Sequence, residues 1–173
     1  LLRDPVERAY SAWNMYRIFH GRPQHLLNVS RDCDEPIRQW VDKMVDSNSF
    51  PEFDQAIRDE IDSILTGNSN LEPSYVRRGM YYEQLLRYFG YFDRDQILII
   101  DSQRLKTETA AVLTEVTCFL DLPEYNWHQE QLSLINVRKP GGHMASQTRA
   151  MLHAFYKPHN QKLYELLGRD FDW

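Results

Sequence analysis

The run Gln96-Ile97-Leu98-Ile99-Ile100-Asp101 constrains this chain more than any other segment. An apolar, mostly β-branched run without polar alternation predicts a strand covered on both faces, as in a parallel sheet. Most other apolar residues recur instead at helical spacing. Asp4-Pro5-Val6-Glu7 opens a helix that runs to about Phe19, with Asp4 as N-cap, Pro5 at the first helical position and Glu7 completing a capping box. Ile37, Trp40, Val41, Met44 and Val45 form one amphipathic stripe, and Phe53, Ile57, Ile61, Ile64 and Leu65 form a second. Residues 75–91 are aromatic-rich and helical, interrupted at Gly79. Thr107 is placed to cap a helix to Leu120. A last helix runs from Ser146 to Leu167, bent or broken at Pro158 and ended by Gly168. Residues 21–33 and 67–73 read as loop and turn, and 121–146 as irregular chain. With Leu1-Leu2-Arg3 taken as the end of another strand, the pattern is an α/β architecture whose sheet needs strands that these residues do not supply.

Composition narrows the partners. A chain of 173 residues that is 42% hydrophobic is expected to form one compact domain. A net charge of −5 argues against a nucleic-acid partner, so a polyanionic substrate would need a local basic cleft. No stretch approaches the ~20 apolar residues that span a bilayer, and no signal-peptide pattern opens the chain. Cys118, inside the apolar run 112–120, is expected to be a buried free thiol; whether it pairs with Cys33 is left open by the sequence. The sequon Asn28-Val29-Ser30 is compatible with a secretory route. The six histidines are scattered without ligand spacing, so no metal is expected.

Arg3 and Ser11 are the first candidates for chemistry. Arg3 ends a strand, and Ser11 lies two helical turns beyond the N-cap on the face of Asp4. A guanidinium and a hydroxyl beside a helix N-terminus, at the carboxyl end of a strand, suit a phosphate. The alternative is structural: Arg3 pairs with an acidic residue and Ser11 bonds its own helix backbone. Arg77 and Arg78 could meet a sulfate or carboxylate, or simply face solvent. Trp13, Tyr81, Tyr82 and Tyr88 could stack on a ring, although aromatics at helical spacing usually pack in a core. Residues 138–143, Arg-Lys-Pro-Gly-Gly-His, form a polar, glycine-rich segment that could equally be a solvated basic loop.

Three segments carry a family resemblance. Leu2-Arg3-Asp4-Pro5-Val6-Glu7-Arg8-Ala9-Tyr10-Ser11 is similar to the 3′-phosphate-binding motif of sulfotransferases that use 3′-phosphoadenosine-5′-phosphosulfate (PAPS). Arg78-Gly79-Met80-Tyr81, followed by residues 82–98, resembles the family's helix and following core strand. Phe155-Tyr156-Lys157-Pro158 with residues 159–163 is similar to the last helix of heparan and chondroitin sulfotransferases. The layout, with a long helical insertion, is nearest to N-acetylgalactosamine 4-sulfate 6-O-sulfotransferase and the heparan sulfate enzymes.

The resemblance implies a P-loop-type three-layer fold with a central parallel sheet, of which residues 1–173 would be the helix-rich C-terminal part. It also implies that Arg3 and Ser11 hold the 3′-phosphate. Arg138, Lys139, Gly141 and Gly142 would cover the nucleotide, with Pro140 departing from the usual loop and no cysteine pair to staple it. Arg77, Arg78 and His143 would approach the acceptor. The family's phosphosulfate loop and usual glutamate base have no counterpart in the sequence, so no catalytic residue is assigned and these residues alone are expected to be inactive. The expected activity is sulfuryl transfer from PAPS to a hydroxyl or amine of a glycosaminoglycan-type polysaccharide, in the Golgi lumen, with membrane attachment through an anchor outside this sequence. The alternatives are a nucleotide-kinase-like phosphotransferase and a non-catalytic helical interaction domain.

Overall fold

A computed structural model describes residues 1–47, 49–68, 74–127 and 143–173. Helix α1 (Pro5–His20) begins as the sequence dictates, with Pro5 in its first turn and Asp4 Oδ1 accepting the Val6 N–H at 2.8 Å. Glu7 does not close a capping box. Its carboxylate reaches Arg149 at 2.6 Å, tying α1 to the long helix α8 (Ser146–Leu167).

The segment 21–33, expected as loop, contains helix α2 (Pro23–Ser30). Proline is tolerated in the first turn, and Leu26 gains a buried place against Val41 and Met44 of α3 (Glu35–Asp46). The sequon therefore lies in a helix, with Ser30 buried and its hydroxyl donating to the Leu27 carbonyl at 3.3 Å, unlike the surface loop such an acceptor usually occupies.

Helix α4 (Phe53–Leu65) and α8 complete the main core with α1. Val6, Ala9 and Trp13 of α1 meet Phe53, Ala56 and Ile57 of α4, the pair Tyr75 and Val76, and Leu152 and Tyr156 of α8. The Trp13 indole also donates to the Pro51 carbonyl at 2.9 Å. Each fully buried aliphatic side chain here contributes about 1.5–3 kcal/mol of burial. A second cluster joins Leu2, Tyr81 and Leu85 of α5 (Tyr81–Phe89), and Leu163 of α8, with Ile99 and Trp173 packed against it. Helix α8 runs through Pro158 without the expected break and ends at Gly168, whose φ of 66° is the left-handed conformation glycine accommodates.

Of the strand expected over 96–101, one isolated bridge forms among the described residues, Leu2 to Asp101; Gln96 closes the 3-10 turn Arg94–Gln96, and residues 97–100 are half-buried rather than covered on both faces. The Leu2 N–H donates to the Ile100 carbonyl at 2.8 Å, and the Ser102 N–H donates to the Leu2 carbonyl at 2.7 Å. This bridge is the sheet-like pairing among the described residues. Asp101 caps a further helix, and Thr107 ends that helix instead of capping the one that leads to Leu120, whose N-cap is Glu108. The Asp101 carboxylate accepts the Gln103 N–H at 2.9 Å and starts α6 (Ser102–Thr107), and α7 (Thr109–Phe119) comes after it. Cys118 and Cys33 are not joined in a disulfide, and Cys118 is exposed rather than buried, since Val112 is the fully buried side chain of α7. No helix among the described residues is long and apolar enough to cross a membrane.

Gly79, in the 3-10 turn Arg77–Gly79 that precedes α5, explains the interruption seen in the sequence. A Cβ there would sit 2.7 Å from Tyr156 Oη and 2.9 Å from Pro5 Cβ. Tyr156 cannot withdraw, being buried with its hydroxyl donating to the Val76 carbonyl at 2.8 Å. Gly79→Ala should therefore lower stability by about 2 kcal/mol, read from thermal unfolding; an unchanged midpoint would show that the contact relaxes freely.

Candidate functional site

The bridge between Leu2 and Asp101 leaves Arg3 as the next residue, at the carboxyl end of its extended segment and one residue before the cap of α1. The two bridged segments here lead directly into capped helices, α1 and α6. The α1 N-terminus carries the partial positive charge of its unpaired N–H groups to this end of the molecule. Ser11 lies about 10 Å farther along the helix axis from Asp4, at 1.5 Å per residue.

The structural alternative for Arg3 and Ser11 finds no support in the contacts. Among the described residues Arg3, half-buried, forms no side-chain hydrogen bond or ion pair, although Asp4 is adjacent. Ser11 is exposed, and among the same residues its hydroxyl takes no backbone carbonyl. Other helical hydroxyls do so: Thr107, Thr109, Thr114 and Thr117 each donate to the carbonyl four residues earlier. A cation just before α1 and a hydroxyl two turns along it are thus left with donors to offer.

Further cations gather at the same place in an otherwise acidic chain. Burial lowers the affinity of the Arg8 guanidinium for its proton, and the Arg78 charge pushes in the same direction, opposed by Tyr81, Tyr156 and Glu60. Arg8 is held by the Tyr75 carbonyl at 3.1 Å. Arg3 and Arg8 both act on Tyr81, whose phenol is nevertheless pushed up, mainly by burial. Arg3 and Arg8 thus share the surroundings of Tyr81, and Arg78 lies near Arg8, with the acidic Asp4 and Glu60 in the same neighbourhood.

The turn carrying Arg77 and Arg78 is fastened by Glu60, a residue to which the sequence alone assigned no role. Its buried carboxylate accepts three consecutive backbone N–H groups: Tyr75 at 2.7 Å, Val76 at 2.9 Å and Arg77 at 2.8 Å. Glu60 occupies the apolar face of α4, three residues after Ile57. A carboxylate on an apolar stripe was the available signal. Arg77 also donates to the Asn68 carbonyl at 2.6 Å, whereas Arg78 is exposed. His143 is exposed as well. Arg138, Lys139, Gly141 and Gly142 lie outside the described residues.

The sequence pattern of the sulfotransferase domain family matches residues 1–157. The chain belongs to the sulfotransferase family. Its curated relatives include carbohydrate sulfotransferase 15 of Homo sapiens, 26% identical over an alignment of 191 positions that takes in 100% of this chain and 30% of the relative. The membrane-associated sulfotransferase kil1 of Dictyostelium discoideum is 29% identical over 114 residues, 66% of this chain and 24% of that protein. The human bifunctional heparan sulfate N-deacetylase/N-sulfotransferase 3 is 33% identical over 111 residues, 53% of this chain and 13% of the relative. The chain thus spans less than a third of each of these relatives. Among solved structures, the sulfotransferase of Alicyclobacillus acidocaldarius superposes with a TM-score of 0.58 at 24% identity, covering 98% of this chain and 53% of that one, a likeness of fold.

Proposed function

We propose that the protein transfers a sulfuryl group from PAPS to a hydroxyl or amine of a glycosaminoglycan-type polysaccharide, and that Arg3 and Ser11 anchor the 3′-phosphate of the donor. The observation that carries this reading is a pair of side chains without protein partners among the described residues, Arg3 between the Leu2 bridge and the α1 N-terminus and Ser11 two turns along the same helix. The residues present fit a phosphate dianion: a guanidinium able to donate twice, a hydroxyl and a favourable helix end, with Arg8 and Arg78 adding positive charge nearby. When bound, PAPS supplies an activated sulfuryl group. The chain's own share of the work is positioning and electrostatic stabilisation, the terms that dominate transfer of such groups.

In this reading Arg138, Lys139, Gly141 and Gly142 cover the nucleotide. Arg78, Arg77 with its remaining N–H groups, and His143 face the acceptor's sulfate or carboxylate groups. The bridged pair of Leu2 and Asp101 belongs to the central parallel sheet of a P-loop-type fold, and residues 1–173 form the C-terminal part of one sulfotransferase domain whose phosphosulfate-binding part and base lie in other residues. These 173 residues alone would then transfer nothing. Relatives named for heparan sulfate and carbohydrate sulfotransfer support a polysaccharide acceptor, and the Golgi lumen is the setting this reading expects.

Calorimetry of the full-length protein tests the donor. 3′-Phosphoadenosine-5′-phosphate should bind at least ~50-fold more tightly than ADP, the return from two or more charge-assisted hydrogen bonds. Equal affinity for the two would favour a kinase-like phosphotransferase, and binding of neither would favour a helical interaction domain.

A further inference from the structure

We infer that Tyr81 is a positioning residue for the 3′-phosphate site, fixing the peptide that carries Arg3; the inference rests on the sulfotransferase reading above. The Tyr81 hydroxyl donates to the Arg3 carbonyl at 2.9 Å, across 78 residues of sequence. On one side of Arg3, Leu2 is pinned by its two bridge hydrogen bonds. On the other, Asp4 is pinned by its cap to Val6 and by the Arg8 N–H, which donates to the Asp4 carbonyl at 2.9 Å.

The Arg3 carbonyl is the remaining backbone carbonyl at this corner, and Tyr81 is what holds it. A guanidinium with no partner among the described residues takes its direction from its backbone, so the orientation of the Arg3 peptide sets where that cation is presented. Tyr81 is suited to the task. Its ring is buried at 8% exposure between Leu2, Leu85 and Leu163, and Trp173 packs edge-on against it at 6.0 Å. Burial also holds its phenol protonated, so the hydroxyl remains a donor through the neutral and mildly alkaline range.

This role separates Tyr81 from the stacking residues on which a ring might lie, because the atom at work is the hydroxyl. The test compares 3′-phosphoadenosine-5′-phosphate with 5′-AMP, which differs by the 3′-phosphate alone, on the full-length protein. Tyr81→Phe should cut the preference for the 3′-phosphorylated nucleotide about 5- to 10-fold, the return expected from one mispositioned charged contact, with 5′-AMP affinity unchanged. In an Arg3→Ala background the same substitution should change the preference no further. Tyr81→Met, which also lacks the hydroxyl, serves as a second variant if Tyr81→Phe does not fold. A preference retained in either folded variant overturns the assignment, as does an equal loss for both nucleotides. If the unaltered protein shows no preference, the sulfotransferase reading fails and this assignment with it; a preference that survives loss of the hydroxyl defeats this assignment alone.

Discussion

Arg3→Ala in the full-length protein is expected to weaken binding of 3′-phosphoadenosine-5′-phosphate about 100-fold while changing 5′-AMP affinity by less than about twofold. The magnitude reflects the contact removed. A guanidinium meeting a phosphate dianion makes charge-assisted hydrogen bonds worth about 1.5–3 kcal/mol, and with no protein partner to leave behind, Arg3 carries no compensating gain when deleted. Ser11→Ala removes one neutral donor and should cost about tenfold. Both losses should shrink as salt is raised, since the site is open to screening. Calorimetry at fixed ionic strength gives the values. Losses that are the same for both nucleotides would assign Arg3 to the fold rather than to the 3′-phosphate.

Glu60→Ala should produce the largest loss of stability, about 3 kcal/mol, or roughly 10 °C in thermal midpoint for a chain of this size. The substitution strands three backbone donors, those of Tyr75, Val76 and Arg77, two of them in buried positions. The pH dependence carries a sign. Burial pushes the Glu60 carboxyl up, against the pull of its three N–H partners and the Arg77 charge. The unfolded chain therefore releases this proton first, and stability declines as pH rises from the ordinary glutamate range, about 4.3, through the folded value. That part of the decline should vanish in Glu60→Ala. Urea unfolding across this pH window measures both effects, and a variant as stable as the parent would show that the turn holds itself.

Much of the fold was legible because it is local. Asp4, Pro5 and the stripes of α3 and α4 need only near neighbours, and the sequence placed them correctly. Helix α2 was not legible: Gly21, Pro23 and Asn28 weigh toward loop, and the decisive contact of Leu26 with Val41 and Met44 is tertiary. Residues 96–101 were expected to form a strand covered on both faces, but among the described residues a single bridge from Leu2 to Asp101 forms there and 97–100 are half-buried. The site divides along the same line. Arg3 and Ser11 could be proposed from spacing, since Arg3 directly precedes the cap of the helix that carries Ser11. Glu60 stood out only as a carboxylate on an apolar stripe and Tyr81 only as a core or stacking aromatic; the roles of their oxygens were not legible, because the partners are backbone groups 15 to 17 and 78 residues away, which carry no side-chain signature.

The most direct test of the central claim is transfer itself. Full-length protein supplied with PAPS bearing labelled sulfate and a glycosaminoglycan acceptor should move label into the polysaccharide and release 3′-phosphoadenosine-5′-phosphate, with the rate at subsaturating PAPS falling about 100-fold in Arg3→Ala. No label transferred to any glycosaminoglycan, together with phosphate transfer from ATP, would contradict the account.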